Sequence, residues 1–215
     1  MDERGRVNQK QRTRKDLLSA AARLMKEGRF PTVAEVAKEA EISRATAYRY
    51  FPSQDVLLAE APIDGEVPTP GELFAGDRSD DPEERLDRAE RRLHDMVYAN
   101  EAQLRVMLSK SLASAPPRGE KDATPVRQNR RGPLIESALE PVRDRLDEAT
   151  HERLVAALSC FFGIESMVVF SDVLQTKPRK ARAVKSWAIR ALVRAALEES
   201  AEKTDGGSPF GTRPR

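Results

Sequence analysis

Nine consecutive residues, Ser43-Arg-Ala-Thr-Ala-Tyr-Arg-Tyr-Phe51, concentrate most of the recognition chemistry in this 215-residue chain. If the stretch is helical and Ile42, Ala47 and Phe51 face a core, then Arg44, Ala45, Thr46, Tyr48 and Arg49 share the outward side. That set suits the major groove of double-stranded DNA: forked donors for guanine, a small residue for close approach, a hydroxyl, and a phenol for phosphate oxygens. Catalytic chemistry finds no comparable cluster. His94 and His151 lie far apart with no cysteine or carboxylate at metal-ligand spacing, Cys160 stands alone, and the glycines form no phosphate-cradling loop, so neither an enzyme nor a cofactor or metal is expected. Both histidines read as surface residues, and Cys160, between Leu158 and Phe161, reads as a small core residue.

Several short elements must hold the 43–51 stretch in place. Leu17, Leu18, Ala21, Leu24 and Met25 follow the spacing of one buried helix face, predicting a helix over about 13–26 that stops at Gly28. Arg12, Arg14 and Lys15 would then stand at its N-terminal end, where cations oppose the helix dipole and an external anion would relieve them. Thr32-Val-Ala-Glu35 has capping-box spacing and opens a second helix lined by Val33, Val36, Ala37 and Ala40. Ser43 caps a third helix after Glu41 and Ile42, Pro52 ends it, and Ser53 caps a fourth carrying Val56, Leu57 and Leu58. Two short helices joined by so tight a turn fit a helix-turn-helix, although the same residues could also build an ordinary small bundle.

Charge is distributed unevenly along the chain, although the formal net charge is only +2. From Arg4 to Lys15 there are six basic and no acidic residues; from Glu60 to Asp87 there are ten acidic and two basic ones. Such polarity can offer a cationic end to phosphates and keep the acidic segment away from them, or simply solvate a basic tail. Residues 61–82, with Pro62, Gly65, Pro68, Pro70, Gly71 and Gly76, read as an acidic Pro/Gly-rich linker between a unit over 1–60 and a larger one over 83–202. A second irregular stretch spans Pro116 to Gly132, and residues 203–215 read as a disordered tail. No apolar run follows the first charges, and the longest weakly charged stretch, Leu154 to Phe170, falls short of a bilayer span, so a cytoplasmic protein without a membrane partner is expected.

The long proline-free blocks of the second half carry helical spacing without strand alternation, giving an all-α chain. A long helix is predicted over 83–115, another over 134–146 interrupted at Pro141, a third capped by Thr150 and running through Val169, and a last one through Ala196. The final two are apolar over more than half their circumference, wide enough for both an internal core and a face for a second copy, or for a thick monomeric core.

Residues Thr32 to Leu58, with the preceding Leu17-Leu-Ser-Ala-Ala-Ala-Arg-Leu-Met25 helix, resemble the DNA-binding motif of the tetracycline-repressor (TetR) family. The likeness covers about residues 10–60 and centres on Thr-Ala-Tyr-Arg-Tyr-Phe. It implies an N-terminal three-helix DNA-binding domain with a helix-turn-helix and a C-terminal helical ligand-binding and dimerisation domain. It further implies a regulator, typically a repressor, that binds a palindromic operator as a homodimer and is released by a small-molecule effector. By this resemblance Ser43, Arg44, Ala45 and Thr46 face base edges and Thr32, Tyr48 and Tyr50 hold phosphates; the basic N-terminal run adds Arg12 and Arg14 as DNA contacts, and the outward side of the 43–51 stretch adds Arg49. The chain departs from the family at Glu41, where glycine is usual, and at Gln54, where lysine is usual. Helix pairing across a two-fold axis would employ Leu158, Phe161, Trp187 and Val193. An effector would be lined by Met96, Tyr98, Leu104, Met107, Phe162, Glu165 and Met167, an apolar set favouring a hydrophobic molecule, with Glu165 available to a positive group. The competing reading is an all-α small-molecule-binding or enzymatic protein whose basic N-terminus only aids solubility.

Overall fold

In the computed structural model, which describes residues 3–113 and 127–205, every regular element is helical. The described residues divide into two compact units, Met1–Pro68 with Ala99–Arg130, and Thr69–Tyr98 with Arg131–Arg215.

The first unit is built on α1 (Glu3–Lys26), α2 (Val33–Glu39), α3 (Arg44–Tyr50), α4 (Gln54–Asp64) and α7 (Glu101–Ala113). Its core joins Leu17, Leu18, Ala21 and Leu24 of α1 to Val36 and Ala37 of α2, Ala47, Tyr50 and Phe51 at α3, and Leu57 and Ala61 of α4. Gly28, at φ +79, ends α1 with the Gly28 N–H on the Met25 carbonyl and the Arg29 N–H on the Leu24 carbonyl, the paired bonds of a Schellman stop. Because α1 begins ten residues before the expected start at Thr13, Arg12, Arg14 and Lys15 are interior to it, and the dipole argument for an anion at its N-terminus does not hold. Helix α4 runs through Pro62 to Asp64, beyond the expected boundary at 60.

The second unit holds α5 (Pro70–Leu73), α6 (Pro82–Ala99) up to Tyr98, α8 (Arg131–Leu139), α9 (Glu148–Ser159), α10 (Ile164–Val168) and α11 (Pro178–Asp205). The predicted 83–115 helix is two helices, α6 and α7, broken at Asn100. Pro141 converts the end of its helix to a tighter 3-10 segment, Glu140–Arg145. Asp147, not Thr150, caps α9: its carboxylate accepts the Thr150 N–H at 2.9 Å and the Thr150 hydroxyl at 2.8 Å. The long apolar helix expected to follow is interrupted by Gly163, whose φ of +101 no helix admits. A π-turn, Val169–Val173, follows α10. No single helix among the described residues is long and apolar enough to cross a membrane.

In the 60–87 stretch Glu66, Glu72, Asp80, Asp81 and Glu84 are exposed, whereas Asp77, Glu83 and Asp87, with Glu90 just beyond, serve as internal anchors. Asp77, nearly buried, pairs with Arg85 at 3.2 Å and Arg88 at 3.1 Å, and Glu83 takes Arg194 at 2.7 Å. Asp87 accepts from the Ser186 hydroxyl at 2.5 Å, and Glu90 forms a buried pair with Lys185. Both histidines are buried, contrary to the surface reading: His94 stacks on Tyr98 with ring centroids 4.5 Å apart, and His151 approaches Glu136 at 3.1 Å. Cys160, by contrast, is exposed at the end of α9 and is not a core residue. The predicted tail lies largely outside the described residues, as does most of the Pro116–Gly132 stretch.

Candidate nucleic-acid interface

The surface formed by α2 and α3 is set by three local devices. At the first, the Thr32 hydroxyl accepts the Glu35 N–H at 3.2 Å while the Glu35 carboxylate takes the Thr32 N–H and hydroxyl, each at 2.8 Å, completing the expected capping box. The Thr32 backbone bond, then its hydroxyl, hold the Glu35 carboxyl below its ordinary value, so this helix end carries a firm negative charge.

The second device is the turn. Glu41 N–H reaches the Lys38 carbonyl at 3.2 Å and Ile42 N–H the Ala37 carbonyl at 2.9 Å, with Glu41 at φ +56. This is the same stop that Gly28 makes, here imposed on a residue with a β-carbon, at a cost of about 1–2 kcal/mol. The turn geometry that glycine favours is therefore kept at Glu41 with strain rather than altered.

The third device is the seating of α3. Ser43 caps it, its oxygen accepting the Thr46 N–H at 3.2 Å while its hydroxyl donates to Thr46 Oγ1 at 2.9 Å, which leaves the Thr46 hydroxyl proton directed elsewhere. Ala47, Tyr50 and Phe51 are buried, whereas Ser43, Arg44, Ala45, Tyr48 and Arg49 are exposed and Thr46 half-exposed. Arginine forks, a small methyl, a hydroxyl and a phenol thus share one face of a rod about two turns long. Gln54, at the start of α4, spends its amide on the Phe30 carbonyl at 3.0 Å, a structural tie in place of a cationic contact.

Two residues expected at phosphates are elsewhere. Tyr50 belongs to the core, its ring covered by neighbours, so it offers no phosphate contact. Arg14 is 0% exposed: its guanidinium donates to the Tyr50 carbonyl at 2.9 Å, pairs with buried Glu60 at 2.5 Å and lies 4.2 Å above the Phe51 ring. It acts as a clamp on the C-terminal end of α3. The signal was present in the sequence, since Arg14 precedes Leu17, Leu18 and Ala21 by three, four and seven residues and therefore shares their inner face. Glu60 also accepts the Arg130 guanidinium at 3.1 Å and the Gln128 N–H at 3.2 Å, and Arg130 reaches Asp64 at 3.1 Å. Burial pushes the Asp64 carboxyl above its ordinary value, opposed by Arg130. Arg12, unlike Arg14, is exposed, and Thr32 is exposed but already committed to its cap.

A family model of the bacterial regulatory proteins of the tetR family matches residues 17–61, the segment from mid-α1 through α4. The tetR-family likeness thus covers the helix-turn-helix segment and its flanking helices. No curated protein and no solved structure matches the chain. The remaining candidate residues fall in different units. Leu104 and Met107 are buried in the first unit, and Met96, Tyr98, Phe162, Glu165 and Met167 belong to the second, so the seven expected effector-lining residues form no single set within either unit. Glu165 is not available to a positive group, because Arg131 already pairs with it at 2.9 Å. Leu158 and Val193 are wholly buried inside the second unit and present nothing to a second copy. Trp187 is 71% exposed, and Phe161 is half-buried at a cavity.

Proposed function

We propose that this tetR-family regulator is a repressor that binds a palindromic operator as a homodimer and is released by a small, largely apolar effector. Bases are read by Ser43, Arg44, Ala45 and Thr46, with Tyr48 and Arg49 on the flanking backbone and Arg12 adding a phosphate contact. The observation that carries this reading is the one-sided α3: its inner side is locked to the core and its outer side holds every group that base and phosphate contacts require. Thr32 joins the phosphate contacts only through exchange with Glu35, which makes it the weakest of the set.

Pairing is supported by an apolar stripe that one subunit leaves uncovered. Val184, Trp187 and Ala191 lie at helical spacing along α11 and are exposed, as are Val173 and Leu174 after α10. Two copies joined through this stripe would bring two recognition helices to one palindromic duplex. A cytoplasmic location follows from the nucleic-acid partner.

Selection from a random duplex pool at moderate salt, with the unmodified protein and the Arg44→Ala and Tyr48→Phe variants, tests the reading. The expected result is a palindromic winner, loss of preference at one base position in Arg44→Ala worth about 1–3 kcal/mol, and uniform weakening in Tyr48→Phe. Absence of any enriched sequence would refute it.

A further inference from the structure

The second unit contains a cavity of about 440 Å³ between the start of α8, the end of α9 and α10, lined among others by Arg131, Ser159, Phe161, Glu165, Val169 and Phe170. Its size lies in the range of small-molecule sites and its walls are mainly aromatic and aliphatic. The polar groups are few and their hydrogen bonds are assignable. Ser159 donates its hydroxyl to the Val155 carbonyl at 2.8 Å, and Ser166 donates to the Gly163 carbonyl at 2.9 Å, so both hydroxyl protons are turned into the protein's own backbone. Arg131 is the cation of the lining. One arm of its guanidinium is fixed to the Ser159 carbonyl at 2.9 Å, at the C-terminal end of α9 where a positive charge is favoured. The other arm meets Glu165 at 2.9 Å.

The two partners of this ion pair differ in how easily each can leave. Arg131 is 22% exposed and anchored to backbone, whereas the Glu165 side chain is 43% exposed and returns to water at small cost. The pair is also built into the backbone: a β-carbon at Gly163 would lie 3.2 Å from Arg131 Nη2 and 3.3 Å from Glu165 Oε2, and the φ of +101 there excludes other residues.

We propose that this cavity is the effector site, that its ligand is an amphipathic monocarboxylate with an apolar body, and that the ligand carboxylate replaces Glu165 on Arg131. The body lies against Phe161, Val169 and Phe170, and the exchange swaps one charge-assisted pair for another, leaving the charge on Arg131 compensated throughout. A cationic ligand would have to displace the anchored arginine instead, and a neutral one gains no ionic contact. The assignment deepens the ligand-responsive reading above and rests on it only for the link to DNA release.

Cys160 is the single cysteine of the chain, lines the same cavity and is exposed, which supplies a reporter. The full-length protein is titrated calorimetrically with decanoate below its micelle concentration, with decanol and with decyltrimethylammonium, and the rate of Cys160 alkylation by N-ethylmaleimide is followed in parallel. Decanoate is expected to bind and slow alkylation, decanol to bind about tenfold more weakly, and the ammonium compound not to compete. Glu165→Gln, which removes the internal competitor, should tighten decanoate about fivefold, and Arg131→Gln should abolish the preference over decanol. Decanol binding as tightly as decanoate, an unchanged or weakened Glu165→Gln, or unaltered alkylation each overturns the assignment. The Glu165→Gln arm decides the matter even if Arg131→Gln fails to fold. An operator-release assay separates the two claims: decanoate binding without DNA release defeats ligand-responsive repression and keeps the site, and DNA release by other apolar compounds without decanoate binding defeats the site alone.

Discussion

Arg14 and Arg12 are two residues apart, identical in type and opposite in consequence. Removing the Arg14 guanidinium by Arg14→Ala leaves Glu60 buried with Arg130 and the Gln128 N–H as remaining partners, and strips the Tyr50 carbonyl and the Phe51 ring of their contacts. Breaking a buried pair typically costs about 3–5 kcal/mol, and the surviving Arg130 contact places the expectation near about 3 kcal/mol. In a protein of this size each kcal/mol lowers the melting temperature by about 2–4 °C, so a fall of about 6–12 °C is expected by calorimetry. Arg12→Ala, at an exposed position, should change stability by less than about 0.5 kcal/mol and act on DNA affinity, reducing the slope of log affinity against log salt by about 1. Should Arg14→Ala melt within about 1 °C of the parent, the clamp assigned here would be refuted. A double cycle with Glu60→Gln then measures the coupling directly.

Glu41→Gly should stabilise the first unit by about 1 kcal/mol in urea unfolding, because it relieves a left-handed backbone at φ +56. Gly163→Ala should destabilise the second unit by about 1–3 kcal/mol by the same measurement, from the converse strain and from crowding the Arg131–Glu165 pair. The Asp147 carboxyl is held well below its ordinary value of 3.8 by the Thr150 N–H, then by the Thr150 hydroxyl and Lys203. Folding therefore favours its ionised form, a contribution complete above that value and lost as the pH falls below it, so Asp147→Asn should flatten the acid side of the stability profile. Trp187→Asp should shift the sedimenting species from dimer to monomer with the helical spectrum retained, since an exposed site tolerates the charge and an apolar interface does not.

Features governed by residues three or four apart were legible before any coordinates. The Thr32–Glu35 box, the Ser43 and Ser53 caps, the stop at Gly28 and the outward face of α3 are of this kind, because capping and helical periodicity depend on near neighbours. Arg14 was misread through its type: charge suggested solvent, and only its position on the apolar stripe indicated the core. Partners far along the chain decided the rest. His94 has Glu90 and Tyr98 four residues to either side, but the buried Lys185 that pairs with Glu90 comes from far down the chain, and the apolar residues around Cys160 gave no sign that the helix ends there and turns the thiol outward. The cavity was illegible because it depends on Arg131 reaching Glu165 and the Ser159 carbonyl from another helix.

The unit carrying α3 is discontinuous in sequence: α7 packs along α4, and Arg130 closes on Glu60 and Asp64 from a position seventy and sixty-six residues downstream. A chimera that grafts only residues 1–68 onto a foreign effector module would leave Glu60 with Arg14 but without Arg130, take Arg130 from Asp64 as well, and bare one flank of α4. Recombination between relatives must therefore exchange two stretches together, and shuffling at a single crossover would select against itself.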